Sequence, residues 1–251
     1  MNLTYYRLEL RRELRDHVGL FFIVALPAFM FVVFGATQSY GKADAGHGNV
    51  AAHIMISMAV YGAVTATCGI GATAAVEKML GWGRQLGLTP LRDSGYVLVK
   101  VADAITIALL PVALIFTIGA FTGARAEAHV WWQSGLLAVL GALLFSLYGL
   151  VFGLGLRSRS AASAASGSVV ILAFLGSMFM PLSGTMLQIG RLTPLYGIVQ
   201  LARYPLTDGA VLTNDGLVTE PLWIPLANVV AWLVILGTLA TWLVRRSRGR
   251  Q

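Results

Sequence analysis

This sequence carries little charge. Of its 251 residues, 12% are Asp, Glu, Lys or Arg, where a soluble domain carries about 25%. Hydrophobic residues make up 57% of the chain, and the mean hydropathy is +0.75. That leaves too little polar surface to clothe a soluble domain of this size. Cysteine is equally scarce. Cys68 stands alone, which excludes an intramolecular disulfide framework and leaves the thiol as a small apolar side chain. The apolar content excludes disorder. The composition is that of an integral membrane protein.

Catalytic and nucleotide-binding patterns are missing as well. The nearest approach to a phosphate-binding loop runs from Gly35 to Gly41-Lys42-Ala43. It has one residue too many between its glycines, and Ala stands where Ser or Thr must hold magnesium. No Gly-x-Ser-x-Gly elbow and no paired intramembrane carboxylates occur. The four histidines, His17, His47, His53 and His129, are scattered without Cys or carboxylate at ligand spacing, so no metal site is expected. The net charge of +7 is confined to clusters between apolar runs, with no basic face interleaved with aromatics. Nucleic acid is therefore not an expected partner. No catalytic residue and no cofactor of the chain's own is expected. Any uphill work must draw on a partner or an ion gradient.

Six runs meet the requirement of about 20 mostly apolar residues for a spanning helix: residues 18–36, 51–76, 96–123, 131–156, 161–181 and 222–244. The expected fold class is thus all-α, a six-helix integral membrane protein in one domain, 1–251. The first run follows a leader containing Glu9, Glu13 and Asp16 and lacks a small-x-small cleavage site, so it reads as a retained helix. With the N-terminus inside, 14 of the 18 Lys and Arg residues fall on the inner side, the distribution of cytoplasmic loops. Both termini are expected in the cytoplasm. Asp103, one turn from Lys100, is the lone carboxylate within a run. An i,i+3 ion pair with Lys100 is the simple expectation, and a proton relay the alternative.

Residues 1–17 predict an amphipathic helix. At roughly 100° per residue, Leu3, Tyr6, Leu10 and Leu14 fall within an arc of about 80°. Arg7, Arg11 and Arg15 lie beside it. Such a helix lies in the membrane plane, its stripe in lipid and its arginines at phosphate level. Small-residue pairs, Gly119 with Gly123, Gly149 with Gly153, and Ser160 with Ala164 and Ser168, predict close helix contacts, within one chain or between two.

Two connections are long. The inner one, 77–95, predicts a short helix ended by Thr89-Pro90, with Asp93 and Ser94 able to cap the next span. Glu77 sits there at the membrane boundary, where charge is cheap. The outer one, 182–221, is apolar but too broken by Gly184, Gly190 and Pro194 to span. A re-entrant pair of short helices satisfies the rule that irregular backbone at membrane depth be buried in protein or face water.

Here the chain resembles the permeases of type-2 ATP-binding-cassette exporters. Glu77, Leu86, Leu88-Thr89-Pro90-Leu91 and Lys100 carry the likeness, with Pro181-Leu182-Ser183-Gly184, Pro194-Leu195-Tyr196 and Arg203 after the fifth span. The resemblance implies two separate ATPase subunits that bind ATP-Mg, a second permease copy or paralogue, and a bacterial cytoplasmic membrane. It implies that Glu77, Lys78, Leu80, Arg84, Gln85, Leu88, Thr89, Pro90, Leu91 and Arg92 form the coupling segment, acting with the interfacial helix. Met178, Phe179, Met180, Pro181, Pro194 and Tyr196 fall on the outer gate or substrate path. Two departures stand out: a compressed stretch at 185–193, and Gly81 and Gly83 inside the coupling segment. The implied function is export of an amphiphilic or hydrophobic molecule, such as a drug, antibiotic or lipid. Alternatives are a glycan or polymer exporter of the same kind, an ion-coupled secondary transporter, or a membrane enzyme or assembly factor.

Overall fold

The computed structural model describes residues 3–80, 93–156, 158, 160–214 and 216–248. Helix α1 (Leu3–Arg15) precedes a helical run, α2 (His17–Ala36), in which π-type turns at Phe21–Ala25 and Val32–Ala36 flank the segment containing Pro27. Two long helices follow, α3 (Val50–Met79) and α4 (Asp93–Thr122), then α5 (Ala128–Leu156) and the shorter α6 (Ala161–Leu175). After these come α7 (Gly184–Arg191), α8 (Pro194–Thr207) and α9 (Trp223–Arg248). Two small antiparallel hairpins, absent from the all-helical expectation, complete the chain: β1 (Asp44–Ala45) with β2 (Gly48–Asn49), and β3 (Ala210–Thr213) with β4 (Gly216–Thr219).

Among the described residues, five helices are long and apolar enough to cross a membrane: α2, α3, α4, α5 and α9. Their positions match five of the six apolar runs to within a few residues. The run at 161–181 behaves differently. Its helix stops at Leu175, about 22 Å from its start at 1.5 Å per residue, against a hydrocarbon core of about 30 Å. Ser177 adopts the left-handed conformation, φ 56°, and turns the chain away.

Helix α3 is the axis of the bundle. It packs against α2, α4, α5, α6 and α8, and seven buried alanines from Ala51 to Ala75 suit it to that position by letting its neighbours come close. Its closest neighbour is α5. A Cβ on Gly149 would run into the Cys68 carbonyl oxygen, and one on Gly71 into the Ser146 carbonyl oxygen. Gly153 likewise abuts Ala72 and Ala75, so the Gly149–Gly153 stripe serves a contact within the chain. Thr67 Oγ1 adds a hydrogen bond of 2.5 Å to the Ala142 carbonyl. On α6 the buried stripe is Ala161, Ala165 and Val169, one position off the expected small-residue row. Ser168 bonds Tyr148 on α5 at 2.8 Å, while Ala164 is exposed.

The helices alternate in direction, giving the bundle two ends. The base holds α1, the C-terminus of α3 and the N-terminus of α4. The distal end holds both hairpins and the C-terminal end of α8, whose Leu206 carbonyl accepts from His47 N–H. Asn49 caps α3 there, its Oδ1 accepting from Ala52 N at 3.0 Å, a use for which Asn is among the preferred residues.

Candidate functional site

At the base, four charged side chains close a ring. Glu9 of α1 pairs with Arg12 one turn on (2.8 Å) and with Lys100 of α4 (3.0 Å). Glu77, at the end of α3, takes Lys100 on Oε2 (2.9 Å) and Arg12 on Oε1 (2.5 Å). Charge alternates around the ring and sums to zero. Tyr96 donates to Glu77 Oε2 at 3.2 Å, and Lys100 Nζ lies 5.7 Å from the Tyr96 ring centre. Glu9, Glu77 and Lys100 are all buried. Buried charge is tolerated only when paired and hydrogen-bonded, and each of these three has at least two partners. The ring therefore fastens α1 to both helices that flank the 77–95 connection.

This arrangement corrects several sequence expectations. Glu77 does not stand exposed at the boundary; both of its carboxylate oxygens are engaged within the chain. Lys100 pairs with Glu9 and Glu77 instead of Asp103. Asp103 is fully buried, and neither of its oxygens has a hydrogen-bond partner among the described residues. It sits beside Glu9 and Glu13, with one oxygen of each within 4.8 Å of the others. The apolar stripe of α1 is also split. Tyr6 bonds Thr106 at 2.7 Å and Leu10 packs beside Ile107, so both face the bundle. Leu3 and Leu14 remain exposed with Arg7, Arg11 and Arg15. The physical reason is that Glu9 must follow its cations inward, which rotates the helix seam.

Of the remaining coupling residues, Leu80 is exposed. Arg84, Gln85, Leu88, Thr89, Pro90, Leu91 and Arg92, with Leu86, Gly81 and Gly83, lie outside the described residues, as do the side chains of Lys78, Asp93 and Ser94.

At the distal end, α8 is buried along most of its length, Tyr196 included. The six residues expected at the outer gate separate. Met178, Pro194 and Tyr196 are buried, Phe179 packs between Tyr61 and Phe174, Pro181 is half-buried, and Met180 is exposed. Tyr196 donates to buried Glu220 at 2.7 Å, and Arg191 reaches the same oxygen at 2.7 Å. Arg203, also buried, has neutral partners. Its Nε and Nη2 donate to Ser57 Oγ (3.0 and 2.6 Å), and its Nη1 donates to the Ser177 carbonyl (3.0 Å).

A second ionisable group straddles the distal loops. His47 Nδ1 lies 2.9 Å from Glu127 Oε1, and its Nε2 lies 2.7 Å from Asp208 Oδ2. His129 Nδ1 is 3.4 Å from Glu127 Oε2. The hydrogen bonds to Glu127 and then Asp208 hold the His47 imidazole above its ordinary pKa, and His47 in turn holds Glu127 below the usual carboxylate range. Beside this group is a cleft of about 510 Å³ lined by Lys42, His47, Arg125 and Glu127 among others. Among the described residues, His47, His129 and Glu127 form one set with atoms close enough to hold a metal ion, and Glu9, Glu13 and Asp103 form another.

Sequence reasoning missed Glu9, Tyr96, the Ser57 contact and the His47 group. A signal existed for Glu9, whose i,i+3 spacing to Arg12 is that of a helical ion pair. None existed for His47, because its partners lie 80 and 161 residues away.

No protein-family model matches the chain. Over 243 residues, 95% of this chain and 94% of the other, it is 25% identical to YvfS of Bacillus subtilis (strain 168), whose name describes a transport permease. That likeness and the five membrane-length helices together support a multi-pass membrane transport permease, a transport protein rather than an enzyme.

Proposed function

We propose that the chain is the membrane-spanning subunit of an ATP-driven exporter in a bacterial plasma membrane, moving amphiphilic or hydrophobic molecules. In this reading both termini and the 77–95 connection are cytoplasmic, α6 is a short sixth span, and α7–α8 is the re-entrant segment. The burial of α8 supports the last of these. Two separate ATPase subunits bind ATP-Mg, and a second copy or paralogue completes the permease.

The observation that carries the reading is the Glu9–Arg12–Glu77–Lys100 ring. It joins α1 and both sides of the 77–95 connection into one body, so a push on that connection reaches α3, the most widely packed helix. Glu77 and Lys100 then transmit force from inside the permease, while the ATPase touches residues such as Leu80 and those that follow. With Met178, Pro194 and Tyr196 buried, an outward route requires α8 to move. The likeness to a transport permease over nearly the whole length supports the class, and the absence of a phosphate-binding loop from the sequence supports a separate energy source.

One observation favours a second reading. A buried carboxylate without a partner, such as Asp103, is costly at membrane depth and is the usual mark of an ion relay. The experiment is a mild-detergent pull-down from native membranes, followed by reconstitution and transport assays. The expected result is that ATPase subunits co-purify, that the permease alone hydrolyses no ATP, and that transport stops on ATP depletion but survives an ionophore. Transport that collapses with the ionophore, persists without ATP and disappears in Asp103→Asn would replace this reading with ion coupling.

A further inference from the structure

We propose that His47, His129 and Glu127 form a binding site for a divalent transition metal of the zinc class at the distal end of the bundle. The inference does not depend on what the permease carries.

His47 Nε2 faces the Asp208 carboxylate at 2.7 Å, and His129 Nε2 faces the Pro205 carbonyl at 3.2 Å. A carbonyl oxygen only accepts, and an ionised carboxylate only accepts. Both Nε2 atoms therefore carry the hydrogen. With the Nε2 hydrogens so placed, Nδ1 is the atom each ring turns to the same carboxylate, at 2.9 and 3.4 Å. Glu127 accepts from His47 Nδ1 while that ring carries both protons, and a metal ion binds by displacing the Nδ1 proton and taking its place.

The acceptors behind the two rings match those of a metal site. Histidine ligands characteristically donate their other N–H to a carboxylate or a backbone carbonyl, which fixes ring and tautomer. Here one ring has each kind of acceptor. The candidate ligand atoms all lie within 4.8 Å of one another. Tetrahedral zinc, with bonds of about 2.0–2.1 Å, needs its ligands about 3.3 Å apart, so small side-chain movements suffice. Two imidazoles with one carboxylate suit zinc and its neighbours rather than calcium or magnesium, which take oxygen cages. The adjoining cleft, lined by His47 and Glu127, leaves room for water as a fourth ligand.

The backbone holds the three segments together independently of any metal. His47 N–H donates to the Leu206 carbonyl (2.7 Å), and Glu127 N–H donates to the His47 carbonyl (2.9 Å). Gly46 has φ +60°, and any Cβ there would strike the Leu206 carbonyl oxygen, so the loop approaches α8 only because that residue is glycine. The ligands are thus brought together on a formed scaffold. A bound ion would cross-link the loop before α3 to the turn between α4 and α5, with Asp208 and the Pro205 carbonyl at the end of α8 orienting the two rings.

The test uses the full chain without a polyhistidine tag, stripped with a chelator and held in nanodiscs. Zn2+ is titrated calorimetrically, and Co2+ by its visible absorption. The expected result is one ion per chain with a tetrahedral Co2+ spectrum and a raised unfolding temperature. Affinity should fall at least about 100-fold in His47→Ala and in His129→Gln, and about 10–100-fold in Asp208→Asn, which keeps every ligand and alters only the acceptor behind His47. Asp208→Asn and His129→Gln preserve side-chain size, so a misfolded His47→Ala leaves the test intact. Failure of the parent protein to bind Zn2+ at micromolar concentration would overturn the proposal. So would binding unchanged in both histidine variants, or binding abolished by Asp103→Asn instead.

Discussion

Glu77 and Arg12 share one short ion pair and differ in exposure, yet the loss of either strands a buried charge. The Glu77 side chain is 8% exposed and the Arg12 side chain 42%. Removing one partner of a buried pair strands the other and costs about 3–5 kcal/mol, whereas an exposed pair contributes about 0–1 kcal/mol. Glu77→Gln leaves buried Lys100 with Glu9 alone, so it should destabilise the protein by about 3 kcal/mol. Arg12→Gln leaves buried Glu9 and Glu77 sharing Lys100, so despite the exposure of Arg12 it should also cost about 3 kcal/mol. Unfolding followed by tryptophan fluorescence in detergent measures both. A loss below about 1 kcal/mol for either variant would mean that the ring is not buried as a unit. Glu77 and Lys100 were legible in the sequence as residues of interest, but their role was not. Sequence places Glu77 at a boundary, and only the packing of α1 over it removes it from water.

At the scale of elements, the α3–α5 seam rests on the absence of side chains. Gly149→Ala would put a methyl group against the Cys68 carbonyl, which is backbone and cannot rotate aside. Overpacking of this kind costs about 1–3 kcal/mol. Gly155, on the same helix, has nothing within 4 Å of its would-be Cβ. There alanine should be neutral or stabilising by about 0.5–1 kcal/mol through helix propensity. Opposite signs for the two variants in thermal unfolding are the expected outcome, and matching signs would argue against close helix approach at this seam. The glycine spacing was legible; the partner helix was not, because a small-residue stripe specifies closeness without specifying to what. The end of α6 was misjudged for a related reason. Hydropathy continues to residue 181, but the left-handed turn at Ser177 places its carbonyl where Arg203 donates to it.

For the whole molecule, orientation is the open consequence of the charge distribution. If the base is cytoplasmic, Lys42→Cys in a Cys68→Ala background should react with a membrane-impermeant maleimide in intact cells, since Lys42 is exposed at the distal end. Leu80→Cys, at the exposed end of α3, should react only after permeabilisation. The reverse pattern would invert the permease and end the exporter reading. A neutral ring at the base and ionisable groups at the distal end leave each end of the bundle with its own electrostatic device.

The sequence alone determined the membrane class, five of the helices and their approximate ends. Apolar runs of about 20 residues have few other stable states, because lipid leaves backbone groups no partner outside the helix. It also pointed to the two connections where function is proposed. The partners of each charged group were decided only in the tertiary structure. Lys100 has Asp103 one turn away on its own helix, yet pairs with Glu9, 91 residues distant, because a buried cation takes the acceptors that packing brings to it. The same holds for His47 and His129, scattered along the chain and joined at Glu127. Helix formation is local and written in hydropathy, whereas ion pairing at long range depends on how the helices stack.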